Sequence, residues 1–156
     1  MRHRNAATAP VLAPALALAS MLALAPAAGW AQTPAPANAR SLAPENTVLY
    51  FITPANGETA ASPVAVRFGL RNMGVAPAGV MREGTGHHHL LVNTTPPPLD
   101  RPIPNDEHHL HFGKGQTETM LELPPGRHTL QLLLGDHNHV PHIPPLLSKR
   151  ISITVR

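Results

Sequence analysis

The sequence predicts an all-β domain, best described as an immunoglobulin-like antiparallel β-sandwich of about six or seven strands. Three observations support this fold class. Short β-branched or alternating segments recur from about residue 47 onward, Gly/Pro-rich turns separate them, and no useful helical periodicity follows residue 31. A small β-barrel is the alternative, because the same short strands could also form a closed sheet.

The first 31 residues have the features of a bacterial secretory signal peptide. Two arginines lie in the first four residues, an Ala/Leu-rich run covers residues 11–28, and the segment ends in small residues at Ala31. A membrane anchor is the alternative, but Pro14 and Pro26 limit the uninterrupted run to about 16 Å of helix, roughly half of a bilayer core. We therefore expect Sec-type export to the periplasm or the medium, without stable membrane insertion after cleavage.

Cleavage after Ala31 would leave a nearly neutral protein. The full chain has 12 Lys and Arg against 9 Asp and Glu, and removal of Arg2 and Arg4 leaves ten against nine, a net charge of +1. No Lys/Arg cluster remains, and nucleic-acid binding depends on such clusters together with stacking aromatic rings. No nucleic-acid partner is therefore expected. The absence of Cys also excludes disulfides, thiolate metal sites and a lipid-modified N-terminal Cys.

The mature chain divides into a flexible Pro/Ala-rich leader, residues 32–46, and a single domain, residues 47–156. Strands are expected at residues 47–53, 64–71, 87–94, 117–123, 127–134 and 147–155. In the second of these, Val64, Val66 and Phe68 alternate with small or charged residues, which is typical of a strand with one buried face. Residues 95–107 contain five prolines and are expected to form an extended loop.

Histidine is the most unusual feature of the composition, because ten of the 11 histidines lie between residues 87 and 142. They form three groups, each with an H-x-H spacing, and His128 lies alone at the start of a strand. The groups are His87-His88-His89, His108-His109-Leu110-His111, and His137-Asn138-His139 followed by His142.

The spacing predicts a metal site, because residues two apart on a strand point to the same face. His87 and His89 then share one face, and His88 points to the core with Leu90. The second and third groups would converge on the first pair, with Asp136 from the turn after residue 134. The predicted ligands are His87, His89, His109 and His111 first, and Asp136, His137 and His139 second. Imidazole donors without thiolate suit a divalent transition metal, Cu or Zn, as the cofactor and partner.

Three other interpretations of the histidines stay open. They could form a hydrogen-bond network in a structural or interaction module of the cell envelope, with an envelope protein as partner. They could form a pH-responsive surface, since unperturbed imidazoles titrate near pH 6.5. A small redox metalloenzyme is the third, although an open metal position would be needed. No G-x-S-x-G, H-E-x-x-H or phosphate-binding loop occurs, so an enzyme is not favoured and no catalytic residue is predicted.

Three segments, in this order, resemble an exported bacterial family known as domain of unknown function 4399. They are GHHHLLV at residues 86–92, HLHFGKGQTE at 109–118, and the segment 123–142, which ends in DHNHVPH. The resemblance extends from about Val48 to Val155. It implies a small periplasmic single-domain protein and carries no known activity, and its motifs are the histidine groups themselves.

Overall fold

The computed structural model describes residues 40–156, which form nine strands in two sheets and contain no helix. The strands are β1 Val48–Thr53, β2 Thr59–Ala60, β3 Val64–Arg71, β4 Gly74–Val75, β5 Thr85–Val92, β6 His109–Phe112, β7 Glu118–Leu121, β8 Gly126–Gly135 and β9 Ile151–Val155. The two sheets do not close into a barrel. The predicted all-β sandwich is therefore confirmed.

The larger sheet places β5 at its centre. Its strand order is β2-β9-β8-β5-β4, and β6 pairs with β5 next to β4. The smaller sheet has the antiparallel order β1-β3-β7. The histidine-bearing strand is thus hydrogen-bonded on both sides, with His89 opposite His111 of β6 and opposite Leu133 of β8.

The hydrophobic core lies between the two sheets and follows the alternation seen in the sequence. Val66 and Phe68 of β3 face Leu90 of β5 and Leu132 of β8, and all four are buried. Full burial of each such side chain stabilises the fold by roughly 1.5–3 kcal/mol. His88 points into this core, as the alternation predicts, and its ring centroid lies 5.1 Å from that of Phe68.

The opposite face of the larger sheet is also covered. Leu91 and Leu133 pack there with Ile103, which comes from the Pro-rich loop between β5 and β6. This second layer explains why every residue of β5 after Thr85 is buried, whichever face of the sheet its side chain lies on. Side chains on the outer face of β5 therefore lie in a dry environment.

The strands differ from the prediction at the start of the last strand and in the short edge strands. The last strand begins at Ile151 rather than at residue 147, because Leu147 forms only an isolated bridge with Leu133. The two-residue strands β2 and β4 carry too short a pattern to be predicted. Among the described residues, none belongs to a helix with the length and apolarity needed to cross a membrane.

The predicted signal peptide and most of the predicted leader, residues 1–39, lie outside the described residues. The last part of the leader is attached to the domain. Leu42 forms a parallel bridge with Ile143, and Ala43 packs against the core.

Candidate metal centre

His87 and His89 form the centre of the histidine cluster. Both lie on β5 with their side chains on the face opposite the main core, and they are 0 % and 1 % exposed. Their rings meet with Nε2 3.1 Å from Nε2. The two-residue spacing on a strand thus brings two imidazoles to the same point, as predicted.

His111 joins this pair from the neighbouring strand. It lies opposite His89 in the β5–β6 register, and its ring centroid is 5.0 Å from the centroids of both His87 and His89. One ring nitrogen of each of the three histidines lies within 4.8 Å of the other two. Two of the three predicted histidine groups therefore converge.

His139 brings the third group to the cluster. Its ring centroid lies 5.0 Å from that of His87, 4.8 Å from that of His111 and 6.2 Å from that of His89. It belongs to the turn after β8 and has a φ of 66°, a left-handed conformation that is uncommon for any residue except glycine.

Asp136 holds the turn that carries His139. One carboxylate oxygen, Oδ1, accepts the N–H groups of Asn138 and Val140 at 2.9 and 3.0 Å. The Asp136 carbonyl accepts the His139 N–H at 2.8 Å. Asp side chains commonly stabilise tight turns by accepting a backbone N–H two residues onward. The left-handed residue is thus fixed by hydrogen bonds on both sides.

Two glycines leave room for the imidazole rings. A Cβ atom at Gly113 would lie 2.3 Å from two ring atoms of His111. A Cβ atom at Gly135 would lie 3.1 Å from Nε2 of His89 and 3.3 Å from Cα of His139. The rings therefore approach the backbone at two places where a larger residue would displace them.

Burial favours the uncharged form of His87, His89 and His111. Burial, followed by the charges that His139 and His111 would carry, lowers the pKa of His87 to about 4, against the opposing charge of Asp136. Burial and the neighbouring histidines lower the pKa of His89 to about 2. The pKa of His111 is lowered by the same two causes. Neutral imidazoles keep a lone pair on one nitrogen, which is the form that binds metals.

Three buried ring nitrogens in the cluster have no hydrogen-bonding partner. Nδ1 of His87, Nδ1 of His89 and Nε2 of His111 are buried and unpartnered. Leaving a buried polar group unsatisfied costs about 1–3 kcal/mol. A structural hydrogen-bond network would satisfy these atoms. The contact between His87 and His89 is the one hydrogen bond found within the cluster in the described residues.

The structure does not bring three of the predicted ligands into this group. Nδ1 of His109 pairs with the Asp106 carboxylate at 2.8 Å, and its Nε2 is buried without a partner. The ring of His137 contacts the Asn138 amide at 3.0 Å. The carboxylate of Asp136 supports the turn rather than the cluster.

Two further features were not predicted from the sequence. His142 is buried behind the cluster, where its Nε2 donates to the Thr85 carbonyl at 3.2 Å. Ser41 and its neighbours contact the turn that carries His139, although they belong to the predicted leader. The D-x-N-x-V pattern starting at Asp136 is the signal that could have identified the turn.

The spacing of the nitrogens fits a transition-metal ion. Zn–N bonds of about 2.0–2.1 Å in tetrahedral geometry hold neighbouring nitrogens ~3.3 Å apart. The 3.1 Å separation between His87 and His89 is close to that value. His111 and His139 are only half-buried, so the cluster is partly accessible to solvent at these two residues.

Comparison with known proteins identifies the family of the chain. Residues 66–156 match the family model described as Domain of unknown function (DUF4399), and this range includes His87, His89, His111 and His139. No curated protein and no solved structure matches the chain. The match covers more than half of the sequence and confirms the resemblance predicted from the histidine motifs. The chain therefore belongs to the DUF4399 family.

Proposed function

We propose that this protein is exported and holds a divalent transition metal, Cu or Zn, for storage, delivery or sensing in the bacterial periplasm. The proposed ligands are His87, His89 and His111, with His139 as the fourth. The observation that carries the proposal is the convergence of His87, His89 and His111, which each offer a ring nitrogen within 4.8 Å of the other two.

The unpartnered nitrogens favour a metal site over a structural network. Each unpartnered nitrogen reduces the stability of the metal-free protein, so the cluster is not a fully satisfied hydrogen-bond network. A bound ion would accept one lone pair from each of the three rings, in place of the single hydrogen bond between His87 and His89. It would also stabilise the folded state, because the ligands converge only in the fold.

The donor set favours ions that accept imidazole. Three or four nitrogen donors without sulfur suit Cu(II) and Zn(II), and Cu(II) binds such sites more tightly in the usual order of divalent ions. Half-buried His111 and His139 would allow exchange of the ion with solvent, as a delivery or sensing role requires.

Metal content tests the proposal. The mature protein is produced without an affinity tag, stripped with chelator and titrated with Zn²⁺ or Cu²⁺ against a competing indicator. We expect one equivalent to bind, with the affinity lowered at least 100-fold in His87→Ala/His89→Ala. The double variant His108→Ala/His137→Ala also loses two imidazoles but should bind like the wild type. Binding no tighter than millimolar in the wild type would overturn the proposal.

Export is tested separately. Expressed from its full gene in a bacterium, the protein should be recovered in the periplasmic fraction with Gln32 as its first residue, as measured by intact mass. An uncleaved cytoplasmic protein would contradict the proposed location.

A further inference from the structure

We propose that Ser41 is a positioning residue for His139, acting through Asp136, so that a segment before the first strand sets the geometry of the cluster. The N-terminal strap is defined here as residues 40–43. The part of the inference that concerns metal affinity rests on the proposed function.

The first step is the contact between the N-terminal strap and the carboxylate that holds the turn. Ser41 Oγ donates to Oδ2 of Asp136 at 2.9 Å. The other oxygen of the same carboxylate, Oδ1, accepts the backbone N–H groups of Asn138 and Val140. Asp136 is only 2 % exposed, so water cannot readily replace the Ser41 hydroxyl. Both carboxylate oxygens therefore have partners only while Ser41 is in place.

The second step is the attachment of the N-terminal strap itself. The Ser41 carbonyl accepts the Ile143 N–H at 2.9 Å, and the Ile143 carbonyl accepts the Ala43 N–H at 2.9 Å. The Arg40 guanidinium donates to the carbonyls of Pro141 and His142 at 2.9 and 2.6 Å. These bonds place the N-terminal strap along the segment that follows His139, so the Ser41 hydroxyl is itself held in position.

The third step is the backbone strain of His139, the residue that Ser41 positions. His139 has a φ of 66°, and such a conformation persists only where surrounding contacts enforce it. The contacts that enforce it include those of Asp136 with Asn138, Val140 and the His139 N–H, beside the hydrogen bond from the Ile103 N–H to the His139 carbonyl. Loss of the Ser41 hydroxyl would remove the side-chain hydrogen bond to Oδ2 of a buried carboxylate and leave it only the contact with the Ser41 backbone N–H. Asp136 would then reorient, and His139 would lose its fixed place beside His87 and His111.

The test compares Ser41→Ala with Ser41→Thr, which keeps the hydroxyl, and with Ser62→Ala. Ser62 is the matched control because its Oγ also makes one long-range hydrogen bond, to the Leu123 N–H at 3.1 Å, in the loop before β3. Changes to groups that orient metal ligands typically weaken metal binding 10- to 100-fold. We expect about a tenfold loss of Zn²⁺ affinity and an altered Cu(II) EPR spectrum in Ser41→Ala, and wild-type behaviour in the other two.

A double-mutant cycle separates positioning from general stability. If Ser41 acts through His139, Ser41→Ala should have no further effect on affinity in a His139→Ala background. An equal loss in both backgrounds, or an unchanged affinity and spectrum in Ser41→Ala, would overturn the inference.

A measurement on the metal-free protein distinguishes this inference from the proposed function. Amide exchange followed by NMR should be faster at Asn138 and Val140 in Ser41→Ala than in the wild type or Ser62→Ala. Faster exchange in a protein that binds no metal would refute the proposed function and support the positioning role. Unchanged exchange would refute the positioning role, whatever the wild-type protein binds.

Discussion

The Nε2 atoms of His87 and His89 lie 3.1 Å apart on the outer face of β5, while His88 between them points into the main core. The two faces of this strand therefore place histidines in different surroundings, the main core on one side and the histidine cluster on the other. Both environments are dry, and burial lowers the pKa of all three histidines well below 6.5. Only the outer pair has other imidazoles next to it.

Replacing His139 tests whether the turn after β8 supplies a ligand. His139→Ala should weaken Zn²⁺ binding by 10- to 100-fold or more. Replacing groups that only orient the metal ligands already has effects of that size. His137→Ala is the matched control, since His137 lies in the same turn but contacts Asn138 instead of the cluster. Competition titration of both variants measures the difference. Equal affinities would show that His139 is only a neighbour of the site.

The pairing of His87 with His89 could be predicted because the period of two on a strand is a local property. The sequence could not show that His111, rather than His109, joins His87 and His89, because this depends on the β5–β6 register. That register places His111 opposite His89 and His109 opposite Leu91. The covering of the outer face by Ile103 also depends on how the Pro-rich loop folds back, for which the sequence contains no periodic signal.

The role of Asp136 illustrates a second limit of sequence interpretation. A carboxylate beside two histidines suggests a metal ligand, yet both of its oxygens are used by Ser41, Asn138 and Val140. The contact with Ser41 joins residues 95 positions apart in the chain. Nothing in the Pro/Ala-rich composition of the predicted leader indicates this contact.

Gly113 should be required for the position of His111. Its backbone φ is not in the left-handed region, so alanine is tolerated by the backbone, but the new Cβ would lie 2.3 Å from the His111 ring. The ring must then move, and we expect Gly113→Ala to weaken Zn²⁺ binding at least tenfold while the free energy of unfolding changes by only about 1 kcal/mol. Gly74→Ala is the control, because its nearest contact would be 3.3 Å from the Thr85 side chain. Unchanged Zn²⁺ affinity in Gly113→Ala would mean that the position of His111 does not matter.

Metal binding should persist in mildly acidic solution. Three histidines with pKa values near 6.5 would lose several hundred-fold in affinity between pH 7 and pH 5.5, because protons compete for the same lone pairs. The pKa of His87 is about 4 and that of His89 about 2, so both stay neutral over this range. We expect less than about a tenfold loss, measured by Zn²⁺ competition titration at each pH. A peptide of residues 85–92 provides the unfolded comparison and should show the steeper dependence. An equally steep dependence in the protein would contradict the prediction.

His88→Leu should stabilise the metal-free protein, and the gain should increase in acid. Neither buried ring nitrogen of His88 has a well-formed hydrogen bond, although the nearby Gln116 backbone favours the charged ring, and leucine removes that cost of about 1–3 kcal/mol. Burial lowers the pKa of His88 from 6.5 to about 4, so between these values the unfolded chain binds a proton that the folded protein does not. Stability therefore falls as the pH falls through this range, by up to about 1.4 kcal/mol per pH unit for this residue. Urea unfolding in the presence of chelator at pH 7 and pH 5 should show an additional gain of about 2 kcal/mol at the lower pH.

The control for this prediction is His128→Leu, which should have the opposite effect on stability. His128 is buried like His88, but its Nδ1 accepts a hydrogen bond from the Asn93 amide at 2.9 Å and its Nε2 donates to the Pro124 carbonyl at 2.8 Å. Leucine would leave both partners unpaired, and we expect a loss of about 1–3 kcal/mol at pH 7. Because His88 lies on the core face, His88→Leu should also leave Zn²⁺ affinity unchanged. If both variants lost stability equally, the unpartnered nitrogens of His88 would have to be satisfied in solution.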